Sequence, residues 1–397
     1  MNSTLRQFRD FFVSLRLTVV LLVLGLVLVF AATIDQVHLG IWAVQEKWFR
    51  SFFVLGRLGN IPFPIFPGGY LLGGLLLFNL IGAHLYRFRK TWRKSGIELT
   101  HFGLILLLVG ELLSGLWQED YSMRLNVGEP KNYSESFRAN ELAIVDVTDP
   151  KSDEVVALPE ALLAKSEAVQ HPKLPFRVVT KEYYPNSQIR MRGPVVDANR
   201  PSLATTGAGP QLVAMPAPVT YKQDERNAPT VFVELIGTSG PLGTWMVSQA
   251  PVDAEGHLLS PQKFEYAGRT YTLALRPVRA YKPFTLTLLK FSHDRYAGTD
   301  IPKNFSSRIR LTTPDGHDDR EVLIYMNNPL RYAGLTFYQA SYDPNDPNAT
   351  ILQVVRNPSW LIPYVACALM TLGLIVQFGI HLVGFIGRRR VPAAAKA

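Results

Sequence analysis

IELTHFGLILLLVGELLSGLW, residues Ile97–Trp117, runs for 21 positions with Glu98 at its edge, Glu111 inside it and no basic residue. At 1.5 Å of rise per residue such a helix is ~30 Å long, the thickness of a bilayer's hydrocarbon core. Three other runs read the same way. Leu17–Ile34 has 18 uncharged residues, Pro67–Tyr86 has 20 and Trp360–Gly387 has 28. A buried core helix of a soluble protein seldom needs so long an apolar run, so all four are read as membrane spans. A short basic stretch before Leu17 and the Phe30-Ala31-Ala32 segment give the first run some features of a secretory signal. Its length and the three spans that follow argue for a retained helix.

The charge distribution orients these spans. The 397-residue chain has 41 Lys+Arg against 32 Asp+Glu, a net charge of +9. Twelve of the basic residues, Arg6, Arg9, Arg16, Arg87, Arg89, Lys90, Arg93, Lys94, Arg388, Arg389, Arg390 and Lys396, flank the apolar runs with Asp10 as the sole acid among them. Gln118–Arg356, by contrast, holds 26 basic and 27 acidic residues. The excess therefore marks the cytoplasmic side of a membrane rather than a nucleic-acid partner. Both termini and the 87–96 loop are expected in the cytoplasm, and residues 118–356 on the outer, periplasmic face of an inner membrane. The single cysteine, Cys367, excludes an intrachain disulfide framework, a CxxC redox pair and covalent haem attachment through CxxCH.

The expected architecture is an integral membrane protein of mixed α and β structure. Four transmembrane helices, at about 17–34, 67–86, 97–117 and 360–387, carry a large extracytoplasmic β-rich domain between helices three and four. Residues 1–117 form the N-terminal membrane region, 118–356 the outer domain, and 357–397 the last span with a basic tail. In the outer segment 35–66, Ile41, Trp42, Trp48, Phe49, Phe52, Phe53 and Leu55 interleave with Glu46, Lys47, Arg50 and Arg57. That pattern predicts a helix lying in the membrane interface, ended by Pro62, Pro64 and Pro67. Gly69-x-x-x-Gly73 predicts close approach of another helix to span two. Thr230–Ile236, Thr270–Leu275, Phe284–Phe291, Ser307–Leu311, Glu321–Met326, Thr336–Tyr342 and Ile351–Val355 read as strands, with Asn327-Asn328-Pro329 as a turn. Gly193–Thr220, rich in Pro, Gly and Ala, reads as a long loop dividing the domain.

The chemistry-bearing residues lie in the spans. His84 precedes Arg87 by three residues, His101 follows Lys94 by seven, and His381 precedes Arg388 by seven. By this count His101 and His381 sit ~10 Å inside the cytoplasmic charge layer, with His84 nearer to it. Ionisable residues within spans mark pathways or cofactors, and imidazole is a common axial ligand of haem iron. Two histidines at matched depth on different helices can hold one haem between them. The plainer reading is that each hydrogen-bonds a neighbouring helix, or that His84 is wetted at the interface. Glu98 lies one turn before His101 and is a candidate to orient its imidazole through the second nitrogen. Glu111 near the outer surface reads equally well as a functional acid or one reaching toward water. His38, His171, His257, His293 and His317 lack metal-ligand spacing. No GxSxG, HExxH, Walker A or GxGxxG pattern is present, so hydrolase and nucleotide-driven readings have no residues to rest on.

The whole layout resembles the ResB family of cytochrome c biogenesis proteins. Phe11-Phe12-Val13-Ser14-Leu15-Arg16-Leu17-Thr18 resembles the family's entry to span one, and Asn79-Leu80 before the basic loop resembles its second span. His101-Phe102-Gly103 with Gly110 resembles the third-span motif. Phe291–Pro302, Met326–Leu330 and Gly334–Asp343 resemble the end of its outer domain in identity and order. Ala32-Thr33 stands where the family often has Gly-Thr, Ala83 where it often has cysteine, and Asp149–Thr220 contributes little to the likeness. The resemblance implies a system II role, bringing reduced haem to the outer face for thioether ligation to apocytochrome c. It implies haem b as a bound cargo that is not covalently attached, and a ResC/CcsA-type membrane partner carrying the Trp-rich haem motif. The six tryptophans here form no such cluster, so the chain is at most a non-autonomous subunit of a cytochrome c synthetase (haem lyase). It further implies that His101 is an axial haem ligand, the other coming from the partner. His381 stands as the rival second ligand in cis, with His84 the weaker candidate and Glu98 the orienting residue. The competing class is a haem-free membrane scaffold or sensory protein with an extracytoplasmic β domain.

Overall fold

The computed structural model describes residues 3–389 apart from 59–60, 88–90, 166, 194–195, 198–200, 223–224, 254–255, 296–297, 299–301 and 344–345. The chain divides into two compact units, Met1–Glu119 with Arg356–Ala397, and Asp120–Val355. The first contains α1 (Ser3–Phe12), α2 (Leu15–Leu39), α3 (Ile41–Val44), α4 (Gly69–Tyr86) and α5 (Ser95–Trp117). The short α6 (Glu160–Leu163) belongs to the second unit, and α7 (Ile362–Arg389) returns the chain to the first. Helices over Leu15–Leu39, Gly69–Tyr86, Trp92–Trp117 and Ile362–Gly387 are long and apolar enough to cross a membrane.

Ser14 separates α1 from α2. Its hydroxyl accepts the Leu17 N–H at 3.2 Å, satisfying one of the donors a helix start leaves open. On α2 the residues Leu17, Leu21, Leu24, Leu28 and Ala32 recur every three or four positions and pack with Leu72, Leu75 and Leu76 of α4. The helix stops at Gly40, whose φ of 79° is strained for any residue with a β-carbon.

Asn79, in the middle of α4 and 2% exposed, holds the α1–α2 break in place. Its amide donates to the Phe12 carbonyl at 2.6 Å and the Ser14 carbonyl at 3.2 Å. Its oxygen accepts the Thr18 hydroxyl at 2.7 Å, and Arg87 donates to the Val13 carbonyl at 3.1 Å. The Phe11–Thr18 and Asn79-Leu80 motifs are thus two sides of one contact. Asn79→Leu leaves those helix-end carbonyls without a donor, so thermal unfolding in detergent should report a loss of roughly 1–3 kcal/mol.

In residues 35–66 the expected helix is formed only over Ile41–Phe49. α2 continues through Leu39, α3 and one π turn (Gln45–Phe49) follow, and then β1 (Phe53–Leu58) pairs with β2 (Ile61–Pro67) as an antiparallel ribbon. Prolines at 62, 64 and 67 forbid helix but are tolerated in a two-stranded ribbon, where each strand has a free edge needing no N–H donor. Asp35 folds the segment back, accepting from Lys47 Nζ at 2.6 Å and Trp48 Nε1 at 2.8 Å. The small-residue contact also lies elsewhere than expected. Gly73 has open space around it, and Gly69 meets the Phe49 backbone at the end of the short π turn. The close helix approach is made by Gly96, Gly103 and Gly110 of α5, which face α7.

The second unit is a large β-rich region. Its strands are β3 (Glu119–Asn126), β4 (Pro130–Asp146), β5 (Glu154–Pro159), β6 (Ala168–Val169), β7 (Arg177–Tyr184), β8 (Ser187–Met191), β9 (Leu212–Pro216), β10 (Thr230–Gly237), β11 (Gly240–Ser248), β12 (Gln262–Tyr266), β13 (Arg269–Arg295), β14 (Pro302–Thr312), β15 (Asp319–Tyr325), β16 (Leu330–Tyr332), β17 (Leu335–Asp343) and β18 (Asp346–Arg356). A ten-stranded sheet runs β15-β14-β13-β4-β3-β18-β17-β16, with β12 on β13 and β5 on β4. A four-stranded sheet runs β11-β10-β7-β6, and β8 pairs with β9. The seven runs read as strands lie on β10, β13, β14, β15, β17 and β18, with Met326 just past its strand and two runs merged in β13. Asn327 turns the chain at φ 62°, a conformation asparagine tolerates. Within Gly193–Thr220 the described chain includes β9. Asp197 pins its start, accepting from Arg190 at 2.6 and 2.7 Å and from the Gly193 N–H at 2.9 Å. That guanidinium holds the Asp197 carboxyl well below the usual carboxylate range.

Two hydrophobic cores share β13. Tyr271, Leu273 and Leu275 enter the first with Val231, Val233, Phe176 and Trp245. Phe284, Leu286 and Leu288 enter the second with Met123, Ile309, Phe337 and Leu352. The buried positions switch from odd to even numbers because register against β4 breaks between Tyr281 and Leu286. Lys282 lies in that break, 8% exposed, and burial pushes its ammonium down to about 8 from an ordinary 10.5. Between those values the unfolded chain holds a proton the folded one lacks, so stability rises with pH across the window and is lost as pH falls through it. Relative to Lys282→Met, the wild-type protein should gain roughly 3 kcal/mol from pH 8 to 10.5, at 1.36 kcal/mol per pKa unit. Thermal unfolding at both ends of the window checks this.

Candidate functional site

Two spans bring two histidines together. His84 lies in the last turn of α4 and His101 in the second turn of α5, helices joined by the short basic connection after Arg87. Their rings meet edge to face, centres 5.1 Å apart at 87°. His84 Nδ1 sits 3.1 Å from the Leu80 carbonyl one turn back on its own helix. A carbonyl only accepts, so Nδ1 is the donor in this contact. His101 Nδ1 is buried and has no hydrogen-bond partner. The expected orientation of His101 by Glu98 through that nitrogen is therefore not made, although Glu98 lies on the same helix three residues earlier. Glu111 is exposed near the far end of α5.

The α5–α7 pairing sets the position of His381. A β-carbon at Gly110 would lie 2.5 Å from Ile362 Cγ2, at Gly103 2.8 Å from the Ala366 carbonyl oxygen, and at Gly96 2.5 Å from the Gln377 amide nitrogen. The helices therefore run antiparallel, with Gln377 level with Gly96. His381 is a turn beyond Gln377 while His101 is more than a turn on the other side of Gly96, an offset of about 14 Å along the axis. The matched depth expected for His101 and His381 is thus corrected. Counting inward from Arg388 placed the basic residues of both helices in one plane, whereas the 28-residue α7 carries its own well past the start of α5. His381 is exposed, with Nε2 2.9 Å from Gln377 Nε2, and Gln377 donates to the Arg93 carbonyl at 3.3 Å. His101 is about 200° around α5 from the Gly103 face, so it looks away from α7 and toward α4.

The pair has the chemistry of a metal ligand set without being a complete one. Among the described residues no three His, Cys, Asp or Glu side chains converge. Two imidazoles on opposite faces of one haem need their ligating nitrogens about 4 Å apart, twice a metal–nitrogen bond of ~2.0 Å, with each ring extending beyond that. Ring centres 5.1 Å apart and nearly perpendicular leave no such gap. One imidazole of the pair fits as ligand and the other as its neighbour. His257 pairs with Asp253 at 2.8 Å in a turn, His293 stacks on Phe305 at 4.5 Å, and His38 ends α2 in the open.

Sequence reading underrated two residues here. His84 ranked below His381 because depth was counted along single helices, yet pairing of α4 with α5 brings it to His101. Asn79 was legible as an amide inside an apolar span, a residue type that seldom sits there without a partner.

Comparison with known proteins gives two findings. A family model described as the ResB-like family matches residues 81–351, a range that includes His84 and His101 and ends before α7. Protein NrfI of Wolinella succinogenes is 38% identical over 103 residues, 26% of this chain. That match spans 11% of NrfI's length.

Proposed function

The chain belongs to the ResB-like family, and on that premise we propose that it is a membrane subunit of a cytochrome c maturation complex. It carries haem across the bilayer and presents it with apocytochrome c at the outer face, together with a ResC/CcsA-type partner. The four apolar helices serve as spans, and the basic residues at Arg6–Arg16, Arg87–Lys94 and Arg388–Arg390 keep their flanks cytoplasmic, which leaves Asp120–Val355 outside. The observation that carries the reading is the juxtaposition of His84 and His101 inside the helical unit.

In this reading His101 would hold the haem iron through its imidazole and His84 would fix the site around it. His84 Nδ1 donates to the Leu80 carbonyl, so its ring is oriented before any cargo arrives. The gap between the two rings is too small for both to bind one iron from opposite sides, and His381 lies about 14 Å away along α7. The partner subunit therefore supplies the second axial ligand. Bound there, haem supplies the iron centre that is to be kept reduced and the vinyl groups that accept the cytochrome's thiols. This chain contributes the imidazole, the apolar wall of the spans and the outer domain that receives the apocytochrome.

The test is a visible spectrum of the detergent-purified chain, alone and co-expressed with its partner. Soret and α/β bands that require the partner support shared ligation through His101. Bands of equal intensity in the lone chain overturn the trans ligand, and an intact complex without haem favours a scaffold role.

A further inference from the structure

The second unit contains a group of cations that its own packing leaves unbalanced. Register between β13 and β4 breaks twice, between Pro277 and Arg279 and between Tyr281 and Leu286. The three pairs left between the breaks are Arg279↔Glu135, Ala280↔Ser134 and Tyr281↔Tyr133. Bulges of this kind re-aim side chains, and here they gather charge at the junction of the two cores. Lys131 and Arg279 lie over the Tyr133 ring at 4.5 and 4.2 Å from its centre. Lys282 Nζ donates to Ser134 Oγ at 2.6 Å and the Ala280 carbonyl at 3.0 Å, and lies 5.9 Å from the Tyr121 ring centre.

Glu135 is the carboxylate in ion-pair range of these cations among the described residues, with exposed Glu129 acting on Lys131 from farther away. Glu135 lies 3.4 Å from Arg279 Nε and 3.9 Å from Lys131 Nζ. Lys282 has a hydroxyl, a carbonyl and a ring face around it, but no acid among the described residues. Arg279 Nε is shielded from solvent and makes no hydrogen bond. The neighbouring cations are matched already, Arg124 with Asp346 at 3.1 Å and Arg276 with Glu141 at 2.9 Å. Glu129, exposed, accepts from Asn126 at 2.8 Å. Cations thus outnumber the acids close to them on a half-buried patch, in a segment whose acids and bases otherwise nearly cancel. A buried cation without a counter-charge is unfavourable, and an anion that completes the patch is correspondingly well held. Tyr281, 58% exposed, adds an open aromatic ring beside it.

We propose that Lys131, Arg279 and Lys282 form a receiving site for the two carboxylates of a planar tetrapyrrole, with Tyr281 against its ring. The demand for anionic groups follows from the patch alone; their number and the tetrapyrrole class rest on the function proposed above. The site lies wholly within the outer unit and is separate from the histidine pair.

Metal-free protoporphyrin IX tests it, because a probe without iron needs no imidazole. The full-length protein in detergent is titrated by fluorescence with the free acid and with its dimethyl ester. The acid should bind at least tenfold more tightly, and Lys131→Gln combined with Arg279→Gln should erase that preference. Lys282→Met should weaken it too, but the partly exposed pair is the deciding variant because its loss leaves both cores intact, as circular dichroism would verify. His101→Ala, expected to lose iron-dependent absorbance, should keep the preference for the acid, so failure of either site is seen by itself. Equal binding of acid and ester, survival of the preference in the double variant, or its loss in His101→Ala would each overturn the proposal.

Discussion

Substituting His101 by alanine is expected to strip haem from the purified complex and to abolish cytochrome c maturation, with membrane levels of the protein unchanged. His101 Nδ1 is buried and the fold gives it no hydrogen bond, so the substitution breaks no hydrogen bond made through that nitrogen. His84→Ala should act more mildly. Removal of groups that orient a metal ligand typically costs 10–100-fold in affinity, so haem should still be detectable there but dissociate faster. Imidazole added to the growth medium should partly restore the spectrum of His101→Ala by filling the vacated position, and should do less for His84→Ala, where the ligand is still present. Normal maturation in His101→Ala would refute its role as ligand. An unaltered spectrum in His381→Ala is expected, since that side chain is exposed at another level of α7.

The second large effect concerns the seam between α5 and α7. Gly96→Val places a β-carbon 2.5 Å from both the Gln377 amide nitrogen and the Gly373 carbonyl oxygen. Both are backbone atoms, which unlike a flexible side-chain end cannot step aside. Overpacking of this kind commonly costs about 1–3 kcal/mol, and the upper end is expected here because α7 must move as a body. Thermal unfolding in detergent measures it. Gly384→Ala, where nothing lies within 4 Å of the added carbon, is the control and should melt at or slightly above the wild-type temperature. Equal melting temperatures in the two variants would show that the helices do not approach closely along this line.

Helix-forming stretches were legible because the signal is long: 18 to 28 apolar residues in a row cannot be mistaken for a strand. The later strands were legible from Val, Ile, Leu, Tyr and Thr at alternate positions. The earlier ones were not. β4 opens with Lys131, Asn132, Ser134, Glu135 and Ser136, which read as loop, and becomes a central strand because β13 and β3 cover it on both edges. In residues 35–66 aromatic residues mixed with charges suit an interfacial helix and a ribbon alike, and only the prolines distinguish them. Single-chain counting misplaced His381 for a different reason. Depth depends on which residues of two helices are neighbours, and that is decided by glycines seven apart on α5, Gly96, Gly103 and Gly110, meeting α7. The spacing is visible in the sequence; the partner it selects is not.

The break in β13 also separates two problems of alignment. On one side Tyr271, Leu273 and Leu275 can meet the first core only in one register, and on the other Phe284, Leu286 and Leu288 are locked by the second. Lys282 and Pro283 lie where the register shifts and take up the difference, as slack between two clamps. Misalignment by one residue in either half would turn out that half's apolar side chains and leave the other untouched. The loss of one core is therefore not propagated along a strand that runs through both.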